Sequence, residues 1–294
     1  MSLPGITSAH NPRVKAAAKL RDRRGREKQR RIIIDGVREI SRALEAGVEL
    51  VELFVCDELC IAKDCRDLIA RAKAVGVELL SVSELVMQKL AYGDRAEGLV
   101  AVARTLARTL ESLLETVRAT AGSSSSVDRW GNTAGQASSG TIDNIVVAVL
   151  EGVEKPGNLG AVLRTADAAG IAALIVADGG TDLYNPNAIR ASLGAIFTVP
   201  VCAATSREAL AWLRHEKFHI LTASLDATID YAAAPYSGRT AIVLGSEARG
   251  LTDVWHGDDI TPIKLPMLGQ VDSLNLSATA AVLFYEALRQ GPST

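Results

Sequence analysis

The sequence lacks the features that mark membrane and secreted proteins. No apolar run in its 294 residues reaches about 18 residues, the length a membrane-spanning helix needs, so no membrane segment is predicted. The N-terminus is basic from Arg13 onward and has no apolar segment, so we expect no secretory signal and a cytoplasmic protein. Apolar residues still make up 48% of the chain, which predicts a compact fold, and the length favours two domains.

Cysteine is also scarce. Cys56, Cys60 and Cys65 lie close together in the sequence, and Cys202 is far from them. No histidine or fourth cysteine lies near the group of three, so we expect no zinc or other metal site. Free thiols in a reducing compartment are the prediction for all four.

Excess charge of one sign is confined to the N-terminus. The whole chain has a net charge of −2, yet residues 1–31 hold ten Lys/Arg against two acidic residues, a net +8. A basic arm on an acidic body favours a polyanionic partner, nucleic acid first, over an ordinary solvated helix face. The candidate nucleic-acid-binding residues of this arm are Arg13, Lys15, Lys19, Arg23, Arg24 and Arg30.

Strand and helix patterns alternate along most of the chain. They predict a small α/β domain over residues 1–104, basic arm included. Residues 105–143 are predicted to be a linker or flexible insertion, because 121–141 is rich in Ser and Gly, although 105–120 could form a helix. A second α/β series over 144–294, with Thr198 to Cys202 as one strand, predicts a mostly parallel sheet covered on both faces.

Glycine-rich segments with polar residues follow strands of this second domain. The first, 151–170, has neither the Lys-Ser/Thr of a phosphate-binding loop nor a G-x-G-x-x-G pattern. From spacing, Asn158 fits an ordinary helix N-cap, and Arg164 lies off the apolar stripe, where it can face solvent or reach a phosphate. In the second, Gly245 ends a strand and Glu247 follows at the carboxyl edge of the sheet, where ligands of open α/β sheets bind.

The third segment is at the C-terminus. Pro266 and Gly269 interrupt a strand with a loop, and a long helix then runs to about Gln290 with Ser273 as the expected N-cap. Ser273, Asn275 and Ser277 crowd polar groups into its start. Free N–H groups at a helix N-terminus beside such a loop predict a ligand site.

In this order, the segments resemble the motifs of the SpoU (TrmH) branch of the SPOUT RNA 2′-O-ribose methyltransferases. The matching stretches are Asn158–Arg164, Leu244–Leu251, Leu265–Ser277 and the Asn-Pro-x3-Arg-Ala-Ser-x-Gly pattern at 185–194. Residues 6–104 look like the family's small substrate-binding domain, so the resemblance omits only about 105–143. Ser246 stands where the family often has Asn, and Asp35 where it often has Glu.

The resemblance implies a parallel sheet whose C-terminal segment threads a loop in a trefoil knot, with S-adenosylmethionine bound at the knotted loops. Carried over by motif, the cofactor-binding residues are Gly245, Leu265 and Leu274, together with Met267 and Ala223. Arg164 is implicated in activating the ribose hydroxyl. Since arginine rarely loses its proton, we interpret Arg164 as a clamp on an RNA phosphate that steers deprotonation. The residues expected to position the reactants around it are Asn158, Glu247, Ser273 and Asn275.

The resemblance also implies partners. We expect a homodimer whose last helix, with its alanines, packs at the interface, and RNA as substrate, with Arg190 added to the RNA-binding residues. The small N-terminal domain favours ribosomal RNA, and transfer RNA is second. The alternative from another class is a non-catalytic RNA-binding protein that keeps the fold.

Overall fold

The computed structural model describes residues 5–91, 97–122 and 144–291. By its internal contacts the chain divides into two compact units. Unit 1 comprises Met1–Ala107 and Asp182–Thr198, and unit 2 comprises Arg108–Thr181 and Val199–Thr294. The segment at 182–198, which the sequence places in the C-terminal domain, is therefore grouped with the N-terminal residues.

The helices and strands of the described residues are numbered in chain order. The helices are α1 (Pro12–Ala18), α2 (Arg23–Gln29), α3 (Val37–Glu45), α4 (Lys63–Ala74), α5 (Glu84–Leu90), α6 (Leu110–Gly122), α7 (Pro156–Ala169), α8 (Pro186–Ala191), α9 (Ala195–Thr198), α10 (Ser206–His215) and α11 (Leu276–Gln290). The strands are β1 (Arg31–Asp35), β2 (Leu50–Val55), β3 (Glu78–Ser81), β4 (Leu99–Arg104), β5 (Ile145–Glu151), β6 (Ala173–Ala177), β7 (Val201–Ala204), β8 (His219–Ala223), β9 (Ile229–Asp230), β10 (Arg239–Leu244) and β11 (Ile260–Lys264).

Unit 1 is built on a small mixed sheet in the order β1-β4-β2-β3. β4 runs antiparallel to β1 and β2, whereas β2 and β3 are parallel. Its core includes Val14 of α1 and Leu20, which follows α1, together with Ile33, Phe54 and Met87. The apolar positions of the basic arm are therefore buried, and the arm is a structural part of unit 1.

Unit 2 contains the parallel sheet that the sequence predicts. Its strands follow the order β7-β6-β5-β10-β8-β11-β9, and every described pairing among them is parallel. All seven residues of β5 are buried, as expected of a strand covered on both faces. Because the strands are parallel, their carboxyl ends lie along one edge of the sheet. The threading of the C-terminal segment through a loop stays a prediction of the resemblance.

The predicted linker over 105–143 contains a helix that belongs to the core of unit 2. α6 buries Leu113 and Val117 completely or nearly so (0% and 1% exposed) against the apolar face of the sheet. The helix that the sequence allows at 105–120 is therefore present at 110–122, and the linker prediction does not hold for these residues, because Leu110, Leu113 and Val117 pack against the sheet. Residues 123–143, which hold most of the Ser/Gly-rich stretch, lie outside the described residues.

Two local expectations are also corrected. Thr198 to Cys202 is not one strand, because α9 ends at Thr198 and Pro200 separates it from β7. The prediction of four free thiols is wrong at Cys60 and Cys65, which form a disulfide with their Cα atoms 5.7 Å apart, a separation that permits the bond. Cys56 and Cys202 are free and buried, as expected. Within the described ranges, no helix has the length and apolar character to cross a membrane.

Candidate active site

Three polar loops of unit 2 leave the same edge of the parallel sheet. β5 ends at Glu151 and leads through Gly152–Lys155 into α7. β10, its direct neighbour, ends at Leu244, which lies opposite Leu150. β11 ends at Lys264 and leads through 265–275 into α11. The three motifs that are far apart in the sequence therefore converge where ligands of open parallel sheets bind.

The loop after β10 closes on itself. Ser246 N–H donates to Gly250 O (3.1 Å), and Gly250 N–H donates to Ser246 O (3.0 Å). A Cβ at Gly245 would lie 2.2 Å from the carbonyl carbon of Gly250, so no larger residue fits there. Gly250 itself has φ +67°, a conformation that glycine adopts without strain. These two glycines make a tight loop with Glu247 projecting from it.

Glu247 joins the three motifs through hydrogen bonds. Its Oε1 accepts from Asn158 Nδ2 (3.0 Å) and from Asn275 Nδ2 (2.6 Å), and the N–H of Leu276 lies 3.4 Å away. Its Oε2 accepts from Lys155 Nζ at 2.7 Å. We call these four side chains, Lys155, Asn158, Glu247 and Asn275, the carboxylate hub.

The electrostatics of the hub favour an ionised Glu247. The hydrogen bond from Lys155 holds the pKa of this carboxyl below its usual value, and the Leu276 N–H and the Asn158 amide act in the same direction. Partial burial opposes them by penalising the charged form. A charged carboxylate can accept all four hydrogen bonds, so the two amide groups are oriented with their nitrogens toward it.

Local backbone structure explains why the asparagines reach the hub. α7 begins at Pro156, with Lys155 as its N-cap, so Asn158 lies inside the first turn instead of capping the helix. α11 begins at Leu276, where the N-cap is Asn275, whose Oδ1 accepts from Ser277 N–H (2.9 Å) and Ser277 Oγ (2.6 Å). The expected cap roles of Asn158 and Ser273 are therefore wrong.

Two predicted residues are not part of the hub. Arg164 lies on α7, six residues after Asn158, and is exposed. Its guanidinium has no hydrogen-bond or ion-pair partner among the described residues, which leaves it available to an anionic ligand. Ser273 is exposed in the loop before α11 and likewise contacts no hub residue in the described structure.

A cavity of about 260 Å³ opens beside the hub. Lys155, Asn158, Glu247 and Leu276 line it, together with Gly152 and the neighbouring loop residues. The predicted cofactor residues Gly245, Leu265, Leu274, Met267 and Ala223 are not among the described residues that line it. They occupy the adjoining strand ends and the loop before α11.

That loop has the properties that an adenosyl group requires. No backbone hydrogen bond of the described residues outside helices and strands involves 266–274, so its N–H and C=O groups are available. Its side chains Leu268, Val271 and Leu274 are apolar and exposed, Leu268 to 98%. Free backbone donors and acceptors beside apolar side chains suit the edge and faces of a purine ring. The residues present therefore fit S-adenosylmethionine.

The basic residues of unit 1 divide into two groups. Arg13 donates to Glu52 (2.9 Å) and Glu78 (2.6 Å), and the Glu78 bond above all raises the pKa of Arg13. Arg23 pairs with Glu27, and Arg190 with Asp35 at 3.4 Å. Within the basic arm at residues 1–31, the exposed cations without an ion-pair partner in the described residues are Lys15, Lys19, Arg24, Lys28 and Arg30.

Two residues at the candidate site, Lys155 and Glu151, were not predicted from the sequence. Sequence reasoning did not single out Lys155, whose partner is 92 positions away. It also missed Glu151, which is buried (3% exposed) at the end of β5 and accepts from Ser206 Oγ (2.5 Å), Thr252 N–H (2.7 Å) and Thr252 Oγ1 (2.8 Å). Because Thr252 follows the Glu247 loop directly, Glu151 fixes the end of that loop. A charged residue at the end of an otherwise apolar strand was the available signal.

The chain is similar to known protein families, sequences and solved structures. Residues 145–285 match the SpoU rRNA Methylase family, and residues 11–101 match the MRM3-like substrate binding domain. The chain is 26% identical to the 23S rRNA (guanosine(2553)-2′-O)-methyltransferase RlmP of Bacillus subtilis (strain 168) over 280 residues, 95% of this chain and 97% of that protein.

Two further similar proteins are also described as RNA 2′-O-methyltransferases. The 23S rRNA (guanosine-2′-O-)-methyltransferase RlmB of Vibrio vulnificus (strain CMCP6) is 30% identical over 217 residues, 74% of this chain and 79% of that protein. A solved structure described as an RNA 2′-O ribose methyltransferase is 38% identical, with a TM-score of 0.76, and the match covers 98% of this chain and 99% of that one.

Proposed function

The chain belongs to the SpoU rRNA methylase family, and we propose on this premise that it transfers a methyl group from S-adenosylmethionine to a ribose 2′-hydroxyl of ribosomal RNA. The observation that carries the proposal is the carboxylate hub. Asn158, Glu247 and Asn275 come from three separate motifs and meet at the edge of the sheet through bonds of 2.6 and 3.0 Å. A fold retained only for RNA binding would not require this convergence.

The reaction is a displacement at carbon. The 2′-oxygen forms a bond to the methyl carbon, the carbon–sulfur bond breaks, and the hydroxyl proton must leave. When bound, S-adenosylmethionine supplies a methyl group on a positively charged sulfur, which is already activated for transfer. The chain's own task is to align the hydroxyl with the methyl group and to assist loss of its proton.

Arg164 carries the second part of that task. We assign its exposed and unpaired guanidinium to a phosphate of the target RNA, where it steers deprotonation as a fixed cation. Glu247 holds the two asparagine amides toward itself, and Asn158 and Glu247 form part of the wall of the cavity against which the ribose lies. Ser273 is assigned to the same wall, from the loop before α11.

The cofactor is assigned to the loops after β10 and β11. Gly245, Leu265 and Leu274 would hold it through backbone groups and apolar packing, with Met267 beside them and Ala223 at the end of β8. The free backbone groups of 266–274 and the exposed Leu274 support this assignment.

Ribosomal RNA is the proposed substrate because both named relatives act on 23S rRNA. The unpaired cations of unit 1 suit its phosphates, and such contacts make binding strongly salt-dependent. Arg13, Arg23 and Arg190 remain candidates, although each must exchange a carboxylate partner for RNA. We also propose a cytoplasmic homodimer, with exposed Tyr285 and Leu288 of α11 at the interface.

Methyl transfer tests the proposal directly. The protein is incubated with methyl-labelled S-adenosylmethionine and, separately, with unmodified 23S rRNA, 16S rRNA and bulk tRNA, and the RNA is digested to nucleosides. We expect label in a 2′-O-methyl nucleoside from rRNA, and none with Arg164→Ala despite intact cofactor binding. Cofactor binding without label in any RNA would favour a non-catalytic RNA-binding protein.

A further inference from the structure

The two oxygens of Glu247 have different partners. Oε1 faces both asparagine amides and the Leu276 N–H, all of them neutral donors. Oε2 has Lys155 Nζ at 2.7 Å as its partner among the described residues. The last torsion of a glutamate side chain is soft, so the stem alone does not fix the rotation of the carboxylate plane relative to the amides. The ammonium on Oε2 restricts that rotation.

The position of Lys155 is set by backbone structure. It is the N-cap of α7 and precedes Pro156, which restricts it to the extended conformation that it adopts (φ −87°, ψ 116°). Its side chain is 72% exposed and that of Glu247 is 29% exposed. Ion pairs as exposed as this contribute little to folding. The contact therefore acts on the geometry of the site more than on the stability of unit 2.

We propose that Lys155 is a positioning residue for methyl transfer: it holds Oε2 of Glu247, so that Oε1 stays directed at Asn158 and Asn275. The inference rests on the proposed function and deepens it. Lys155 acts through Glu247 and is not assigned a contact with RNA or cofactor.

Few charged groups act on the ion pair between Lys155 and Glu247. On Glu247, the charged group that acts is Lys155, since Asn158 from α7 and the Leu276 N–H from α11 are neutral. On Lys155, Glu154 adds a weaker attraction to that of Glu247. Removing the ammonium therefore removes the charged partner of the hub without exposing a new one.

The kinetic test uses Lys155→Met, which keeps the side-chain stem, and Lys155→Arg, which keeps the charge. Arg214→Met is the matched control, because Arg214 forms an exposed ion pair with Asp259 elsewhere on unit 2. We expect Lys155→Met to lower the single-turnover methyl-transfer rate about 10-fold, as misplacement of positioning groups does. The KM for RNA, its salt dependence and the melting temperature should stay unchanged, Lys155→Arg should restore most of the rate, and Arg214→Met should have no effect.

A double substitution separates positioning from direct RNA contact. If Lys155 acts through Glu247, Lys155→Met adds almost nothing in a Glu247→Gln background. If Lys155 instead binds a phosphate, the Lys155→Met substitution keeps its full effect in the Glu247→Gln background. It then also raises the KM for RNA and lowers the salt dependence of RNA binding. That result would overturn the proposal, as would an unchanged rate in Lys155→Met.

A second experiment uses NMR signals and does not depend on methyltransferase activity. In the protein alone, the ¹³C carboxyl signal of Glu247 is titrated and the side-chain amide signals of Asn158 and Asn275 are recorded. We expect Lys155→Met to raise the titration midpoint of Glu247 and to shift both amide signals, whereas Arg214→Met leaves them in place. Unchanged signals refute the positioning role even if the wild-type protein methylates no RNA, an outcome that would refute the proposed function separately.

Discussion

Replacing Asn275 with aspartate separates two roles of that side chain. Oδ1 caps α11 by accepting from Ser277 N–H at 2.9 Å, and Nδ2 donates to Glu247 Oε1 at 2.6 Å. Aspartate keeps the cap, because it is among the best N-cap residues, but it places an oxygen where the amide nitrogen was. Alanine removes both interactions.

The expected magnitudes follow from these contacts. Asn275→Ala should lose the cap, about 1 kcal/mol of stability, together with the hydrogen bond to Glu247. Asn275→Asp should lose a hydrogen bond to a charged acceptor, about 1.5–3 kcal/mol. It also places a carboxylate oxygen in the position of Nδ2, 2.6 Å from Oε1. Two like unit charges whose centres lie about 4 Å apart repel by about 1–4 kcal/mol at effective dielectric constants of about 80 to 20. If about 3 kcal/mol of this destabilisation adds to the activation free energy of methyl transfer, the reaction slows about 100-fold.

The assays are single-turnover methyl transfer and thermal unfolding as a function of pH. Like charges raise the pKa of the pair in the folded state. The folded protein then binds more protons than the unfolded chain, so the stability deficit of Asn275→Asp should shrink as the pH falls through the raised pKa. Asn275→Ala should show no such recovery. An Asn275→Asp protein with wild-type activity, or with a deficit that is constant from pH 8 to pH 4, would falsify the hub geometry.

Three further outcomes are expected. Leu113→Ala should destabilise unit 2 by about 2–5 kcal/mol in chemical denaturation, because Leu113 is fully buried, whereas a flexible linker would tolerate the change. Replacing Lys19, Arg24 and Lys28 with glutamine should weaken RNA binding and reduce its salt dependence more than Arg13→Gln does, since Arg13 is already paired with Glu52 and Glu78; equal effects in filter binding would contradict this. Burial raises the pKa of Cys202 to about 12, so its thiol should resist alkylation at pH 8 until unfolding, and stability should decline above about pH 9, where the unfolded thiol ionises; rapid native labelling read by mass spectrometry would refute the burial.

The sequence was informative wherever local chemistry decides structure. The apolar run at Ile145–Leu150 predicts a buried strand, and Gly245 at the end of a strand predicts that Glu247 lies just beyond the sheet edge. The ordered motifs identified the family. Helix starts were less predictable: Ser273 and Asn275 are both good caps, and only the bond from Asn275 to Glu247 together with its cap on Ser277 distinguishes them.

The inclusion of 110–122 in the predicted linker also reflects a property that is not local. Leu113 and Val117 have helical spacing, but the Ser/Gly-rich residues after them favoured a flexible segment, and no local pattern reveals an open apolar face elsewhere in the chain. The pairing of Cys60 with Cys65 was missed because spacing alone does not report the 5.7 Å between their Cα atoms.

By itself, the sequence determined the alternation of strands and helices, the family, and the choice of two asparagines and a glutamate as candidate site residues. Those properties depend on periodicity and residue type, which are local. Only the tertiary structure decided that one carboxylate accepts hydrogen bonds from both asparagines on Oε1 and from Lys155 on Oε2. Hydrogen bonds between residues 92 or 89 positions apart depend on which strand ends become neighbours, and that is decided by sheet order.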